Sequence, residues 1–238
     1  MGESVTMAAE PHEIKITVDA GRQVSGLLLA TDDARACYVL AHGAGAGMRH
    51  PFMARVATDL AASGIATLRY QFPYMEQGSR RPDAPALAHA TVRAAVAEAK
   101  RRLPTCPLVA GGKSFGGRMT SQAQAAEPLP HVQGLVFLGF PLHPPGKPSS
   151  DRATHLADVR IPMLFVQGTR DDLADLALVK ALTERLGAIA ALHLFEDADH
   201  SFHVPARSGR SDAMVLSEIT GVVAAWIETT ILGRKVSL

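Results

Sequence analysis

Cysteine is almost missing from this sequence: Cys37 and Cys106 are the whole complement. Two thiols cannot form a disulfide framework, and neither stands in a CxxC or His-rich spacing that would suggest zinc or redox chemistry. Cys37 opens an apolar run and Cys106 lies between prolines just before another, so both read as small buried or half-buried side chains. An excess of either charge is missing too. The chain carries 24 Lys and Arg against 23 Asp and Glu, a formal net charge of +1, and hence no global field to gather nucleic acid or an anionic membrane. Its densest basic run, Lys100-Arg101-Arg102, closes an Ala-rich helical stretch, where cations complement the helix dipole. No apolar run approaches the roughly 18–20 residues that span a bilayer. The opening residues lack a basic segment followed by an apolar core, so no signal peptide is expected. Neither nucleic acid nor membrane is an expected partner, and the reducing cytoplasm is the expected compartment.

What is present is the composition of an ordinary soluble protein: 238 residues, 47% apolar and 20% charged. That size suits one large α/β domain, with residues 1–12 expected as a flexible lead. Residues 13–18 and 23–29 read as strands around a turn at Asp19-Ala20-Gly21, a hairpin signal. Beyond them, compact apolar runs alternate with helical periods. Strands are expected at 36–41, 65–70, 108–111, 132–140, 163–167 and 191–195, and helices at 51–62, 86–102, 117–126, 175–186 and 212–230. A hairpin followed by this alternation predicts an α/β fold: one mostly parallel sheet with helices on both faces. Ligands then belong beyond the carboxyl ends of the strands.

One such strand end carries Gly112-Lys113-Ser114-Phe115-Gly116, a G-x-S-x-G pattern set between the apolar run LVAG and a helix. There a serine on a sharp turn raises Oγ above the sheet, and its flanking glycines sit where side chains would clash. A phosphate-binding GxxxxGK[ST] loop would need glycine where this chain has Pro107, and a G-x-G-x-x-G fingerprint fails at Met48 and His50. A serine hydroxyl is a weak nucleophile, so it needs a base, and the base needs an orienting acid. Asp171 follows the run MLFVQG, and His200 follows ALHLF. The order Ser114, Asp171, His200 is the one this architecture requires, each member arriving after a different strand. Asp172 is the alternative acid. His203 forms HxxH with His200 but lacks further ligands at metal spacing, so no metal is expected. The oxyanion of an acyl-transfer intermediate needs two backbone donors. The Phe115 amide is one, and the loop HGAGAG at 42–47 supplies the other through Ala44, with His42 bracing the loop.

Together the segments AHGAGAGMRHPFM, LRYQFPYM, GGKSFGGRM, LGFPLHPPGKP and DADHSFHV resemble the α/β-hydrolase superfamily over nearly the whole chain. More narrowly, they are similar to small lidless hydrolases related to a subunit of eukaryotic chromatin complexes. Dienelactone hydrolases are similar in size but typically carry cysteine where this chain has Ser114. The resemblance implies a serine hydrolase acting on a small acyl substrate without cofactor. It also leaves a scaffold reading open, as well as thioesterase and peptidase readings of the same residues. About twenty residues separate Phe140 from Ile161, too few for a helical cap, and the prolines among them should stiffen a fixed rim. Phe72, Tyr74 and His143 are expected to wall the substrate site.

Overall fold

The computed structural model describes residues 10–233. Strand β1 (His12–Asp19) pairs antiparallel with β2 (Arg22–Leu29). Asp19 closes their turn, its carboxylate accepting from the Gly21 amide and the Arg22 guanidinium, both at 3.0 Å. His12 is therefore already in a strand. Of the lead expected to be flexible, residues 1–9 lie outside the described residues.

The remaining strands are β3 (Ala36–Ala41), β4 (Ile65–Tyr70), β5 (Leu108–Lys113), β6 (Val132–Leu138), β7 (Met163–Gly168) and β8 (Ala190–Phe195). They form one eight-stranded sheet in the order β1-β2-β4-β3-β5-β6-β7-β8. β2 meets β4 antiparallel, and every pairing from β4 to β8 is parallel. All six residues of β3 are buried, as parallel strands covered on both faces should be. Alternation along β3 sends Cys37, Val39 and Ala41 to one core layer and Ala36, Tyr38 and Leu40 to the other. The first layer packs under α3 (Pro85–Arg102), α4 (Phe115–Ala126) and α5 (Leu176–Leu186). The second packs under α1 (Pro51–Ala62) and α6 (Asp212–Trp226).

Several boundaries differ from those expected, each for a local reason. β6 stops at Leu138 because Gly139 turns with φ 70°. β5 runs on to Lys113 and α4 starts at Phe115, so only Ser114 separates strand from helix. Two further elements have no strong periodicity to announce them: a single turn, α2 (Pro73–Glu76), and a 3-10 helix at Asp151–Asp158. Against the expectation that no apolar run approaches membrane length, the helix Asp212–Ile231 has 20 residues and is long and apolar enough to span a bilayer. Its Val215, Ile219, Val223 and Ile227 are buried in the second core layer, at the 3.6-residue period of a helix lying on a sheet.

Candidate active site

The junction between β5 and α4 is built by steric exclusion. Gly112 holds φ 149°, and a Cβ there would stand 2.2 Å from the Ala41 carbonyl oxygen. At Gly116 it would stand 2.6 Å from that of His42. With both side chains absent, the chain reverses within one residue, and Ser114 takes φ 49° and ψ −115°. A non-glycine residue rarely holds that conformation, and doing so costs on the order of 1–3 kcal/mol. The surrounding sheet keeps it there: the Ser114 amide donates to Leu138 O of β6 at 3.2 Å.

Ser114, His200 and Asp171 come together across three strand ends. His200 Nε2 lies 2.8 Å from Ser114 Oγ, and His200 Nδ1 lies 2.7 Å from Asp171 Oδ2. Because Nδ1 faces a carboxylate, it carries the ring proton, which leaves the Nε2 lone pair for the serine hydroxyl. The Asp171 side chain is fully buried. It also accepts from the Leu173 amide at 2.8 Å and from Gln167 Nε2 at 2.5 Å. Gln167 is in turn oriented by the Phe140 amide, which donates to its Oε1 at 3.0 Å. Asp172, the alternative acid, is exposed. His203 is exposed and paired with Asp212 at 2.8 Å. Among the described residues no three His, Cys, Asp or Glu side chains converge as metal ligands would.

The HGAGAG loop is pinned from below. The Phe72 amide donates to His42 Nε2 at 3.2 Å, so Nδ1 carries the proton and donates to Gly43 O at 2.7 Å. Burial pulls the His42 imidazole down to about 4, against the opposing pull of the Gly43 carbonyl, and the ring is neutral near pH 7. Tyr74 Oη accepts from the Gly45 amide at 3.0 Å, and Gln71 Oε1 from the Met48 amide at 2.8 Å. The Ala44 amide lies between these fixed points. The Phe115 amide opens α4, where first-turn N–H groups have no intrahelical acceptor. Ala44 lines the same cavity as Ser114 and His200.

That cavity, of about 350 Å³, corrects the expected walls. Beyond Ser114, His200 and the glycine loop, its lining includes Lys113, His50, Phe52 and Met53 at the start of α1, and Leu173. Phe72, Tyr74 and His143 do not line it. Phe72 is fully buried, with its ring 5.0 Å from that of His42 and 5.3 Å from that of Phe115. Tyr74 is buried, and its hydroxyl accepts from the Gly45 amide. His143 is buried with both ring nitrogens occupied: Nε2 accepts from the Asp175 amide at 2.9 Å, and Nδ1 donates to Pro144 O at 2.9 Å. All three support the site from behind.

Two residues with a place at the site carry no sequence signal of their own: Gln167 and Lys113. Lys113 Nζ donates to the His200 carbonyl at 2.6 Å and lies 5.3 Å from the centre of the Phe202 ring. Burial pulls its ammonium from 10.5 down to about 8, against the nearby Asp171 and Asp199 carboxylates. The elbow that presents Ser114 thus also anchors the segment that presents His200.

A mostly parallel sheet with an antiparallel opening hairpin and a strained serine between β5 and α4 defines the α/β-hydrolase fold, here with no cap domain among the described residues. The family model described as alpha/beta hydrolase domain matches residues 34–228, and the chain belongs to that family. Among solved structures it is similar to dienelactone hydrolase from Anabaena variabilis, at 19% identity over 94% of this chain and 99% of the other, with a TM-score of 0.75. It is also similar to a serine hydrolase without lid from Xanthomonas campestris, at 21% identity over 92% and 94%, with a TM-score of 0.70. An esterase from Pyrococcus furiosus matches at 16% identity over 97% and 96%, with a TM-score of 0.69. At these identities the likeness is one of fold.

Proposed function

We propose that this hydrolase cleaves a carboxylic ester or related acyl bond of a small substrate through a covalent acyl-Ser114 intermediate. The observation that carries the reading is the hydrogen-bonded chain from Ser114 Oγ through His200 to Asp171, at 2.8 and 2.7 Å. His200 Nε2 takes the hydroxyl proton as Oγ attacks the acyl carbon. Asp171 holds the ring tautomer and offsets the imidazolium charge. The Phe115 and Ala44 amides receive the oxyanion, each such donor being worth about 10²–10³ in rate. Collapse of the intermediate breaks the acyl–oxygen bond, and His200 passes its proton to the leaving alcohol. Water then attacks the acyl-serine with His200 as base, releasing the acid and restoring Ser114. The lining from Phe52, Met53 and Leu173 supports a substrate with an apolar portion of modest size.

A fluorophosphonate probe tests the reading directly. Wild type should be labelled and should hydrolyse short acyl esters, and Ser114→Ala should do neither. Labelling that persists in Ser114→Ala would refute the nucleophile. A wild type inert to both probe and ester panel would favour the scaffold role instead.

A further inference from the structure

One turn beyond Ser114 on α4 begins a group of basic side chains with no ion pair among the described residues. Arg118 and Ser121 are three residues apart on α4 and share a face. That face meets the 3-10 helix Asp151–Asp158, whose three-residue turn stacks Arg152 and His155 on one line. Ser121 Oγ and His155 Nε2 join the two elements at 2.7 Å, and Ser121 Oγ donates back to Arg118 O at 2.9 Å. From α3, His89 reaches Gln122 Oε1 on α4 at 3.3 Å. Arg118, Arg152, His89 and His155 thus gather where three elements meet, each half-buried.

Among the described residues, neither arginine forms an ion pair. The Arg118 guanidinium lies 6.0 Å from the Phe115 ring centre, and its Nε is buried without an acceptor. The charges oppose one another. Burial and then Arg152 lower Arg118. Burial, then Arg118 and His89, pull the His155 imidazole down to about 4. Asp158, the acid that acts on His155, is the smallest of its influences and is itself exposed. Arg93, which bears on His89, is already held by Glu127 at 3.5 Å and by the carbonyls of Ala123 and Glu127. A desolvated guanidinium donor with no acceptor is costly, and Arg118 Nε, with Arg152 and His155 close by on the packed 3-10 helix, lacks an anion to accept from it.

We propose that Arg118, Arg152 and His155, with His89 at the edge, form a binding site for the oxyanion group, phosphate or carboxylate, of a small ligand. Guanidinium groups offer paired N–H donors to either group, and a phosphate adds a second charge. Burial comes first in keeping His155 neutral, and an anion there offsets the added repulsion from Arg118 and His89. The site is separate from the reaction at Ser114 and stands whether or not that reading holds.

The test titrates the wild-type protein with phenyl phosphate and, separately, with benzoate, following the imidazole resonances of His155 and His89 by NMR. Saturable shifts with either compound, weakened by added salt, are expected. The tighter of the two names the preferred group. Affinity should fall at least about tenfold in Arg118→Gln and in Arg152→Gln, the loss of one charge-assisted pair. It should hold in Arg210→Gln, whose guanidinium pairs with Glu218 elsewhere. Should Arg118→Gln not fold, Arg152→Gln decides alone. Unmoved resonances with both compounds, or undiminished affinity in the folded Arg152→Gln protein, would overturn the proposal.

Discussion

Replacing Lys113 with methionine separates what holds His200 from what holds the fold. The substitution keeps the length of the aliphatic stem and removes the donor that reaches the His200 carbonyl at 2.6 Å. A hydrogen bond from a charged donor contributes about 1.5–3 kcal/mol. Set against that, burial holds the ammonium at about 8 where 10.5 is ordinary, which corresponds to a charge penalty on the order of 3 kcal/mol at about 1.4 per pH unit. The two terms oppose each other, so Lys113→Met should leave global stability near neutral pH within about 2 kcal/mol. The loss at His200 has no such offset, since its segment surrenders an anchor outright. We expect kcat on a short acyl ester to fall about tenfold, equivalent to about 1.4 kcal/mol, with KM little changed. Stability against pH supplies a second readout. The folded Lys113 releases its proton near pH 8 and the unfolded one near 10.5, so between those values the unfolded chain binds more protons and stability rises with pH. That rise should shrink in Lys113→Met. Ester kinetics and urea melts from pH 7 to 10.5 measure both effects. A variant with kcat within twofold of wild type and an unchanged pH slope would refute the anchoring role.

Asp171→Asn should lower kcat by about 10⁴ with the fold intact by circular dichroism, because an amide no longer enforces the Nδ1–H tautomer of His200; a loss under tenfold would show that another group orients the ring. Gly112→Ala forces a Cβ to within 2.2 Å of the Ala41 carbonyl at φ 149°, and should destabilise by more than about 4 kcal/mol in urea titration. A near-native midpoint there would mean that the elbow can relax. Tyr74→Phe removes the acceptor of the Gly45 amide and should slow acylation by an amount worth about 1–3 kcal/mol, with KM unchanged. A raised KM at constant acylation rate would instead make Tyr74 a substrate contact.

The strand-helix alternation was legible because burial on both faces leaves continuous apolar runs, as in ACYVLA at β3 and LVAG in β5. The glycines around Ser114 were legible for a steric reason that is just as local. Even the partners of Ser114 could be located, because Asp171 and His200 each follow a strand end and strand ends share one edge of a parallel sheet. Phe72, Tyr74 and His143 show where this reasoning stops. Aromatic residues in loops near a site look alike in sequence whether they face the cavity or brace it from behind. The cavity lining from α1 was equally hidden, since Phe52 and Met53 read as the start of an ordinary amphipathic helix.

By itself the sequence determined the strands, the longer helices, the elbow and the order in which Ser114, Asp171 and His200 arrive, all consequences of period, sterics and position along one chain. The tertiary structure alone decided which side chains meet: Gln167 with Asp171, Lys113 with the His200 carbonyl, and Ser121 with His155. These pairs join residues on different elements, or different ends of one loop, through side-chain reach. A hydrogen bond forms or fails over a fraction of an ångström. No local pattern in the chain encodes that distance; the packing of the sheet and its helices sets it.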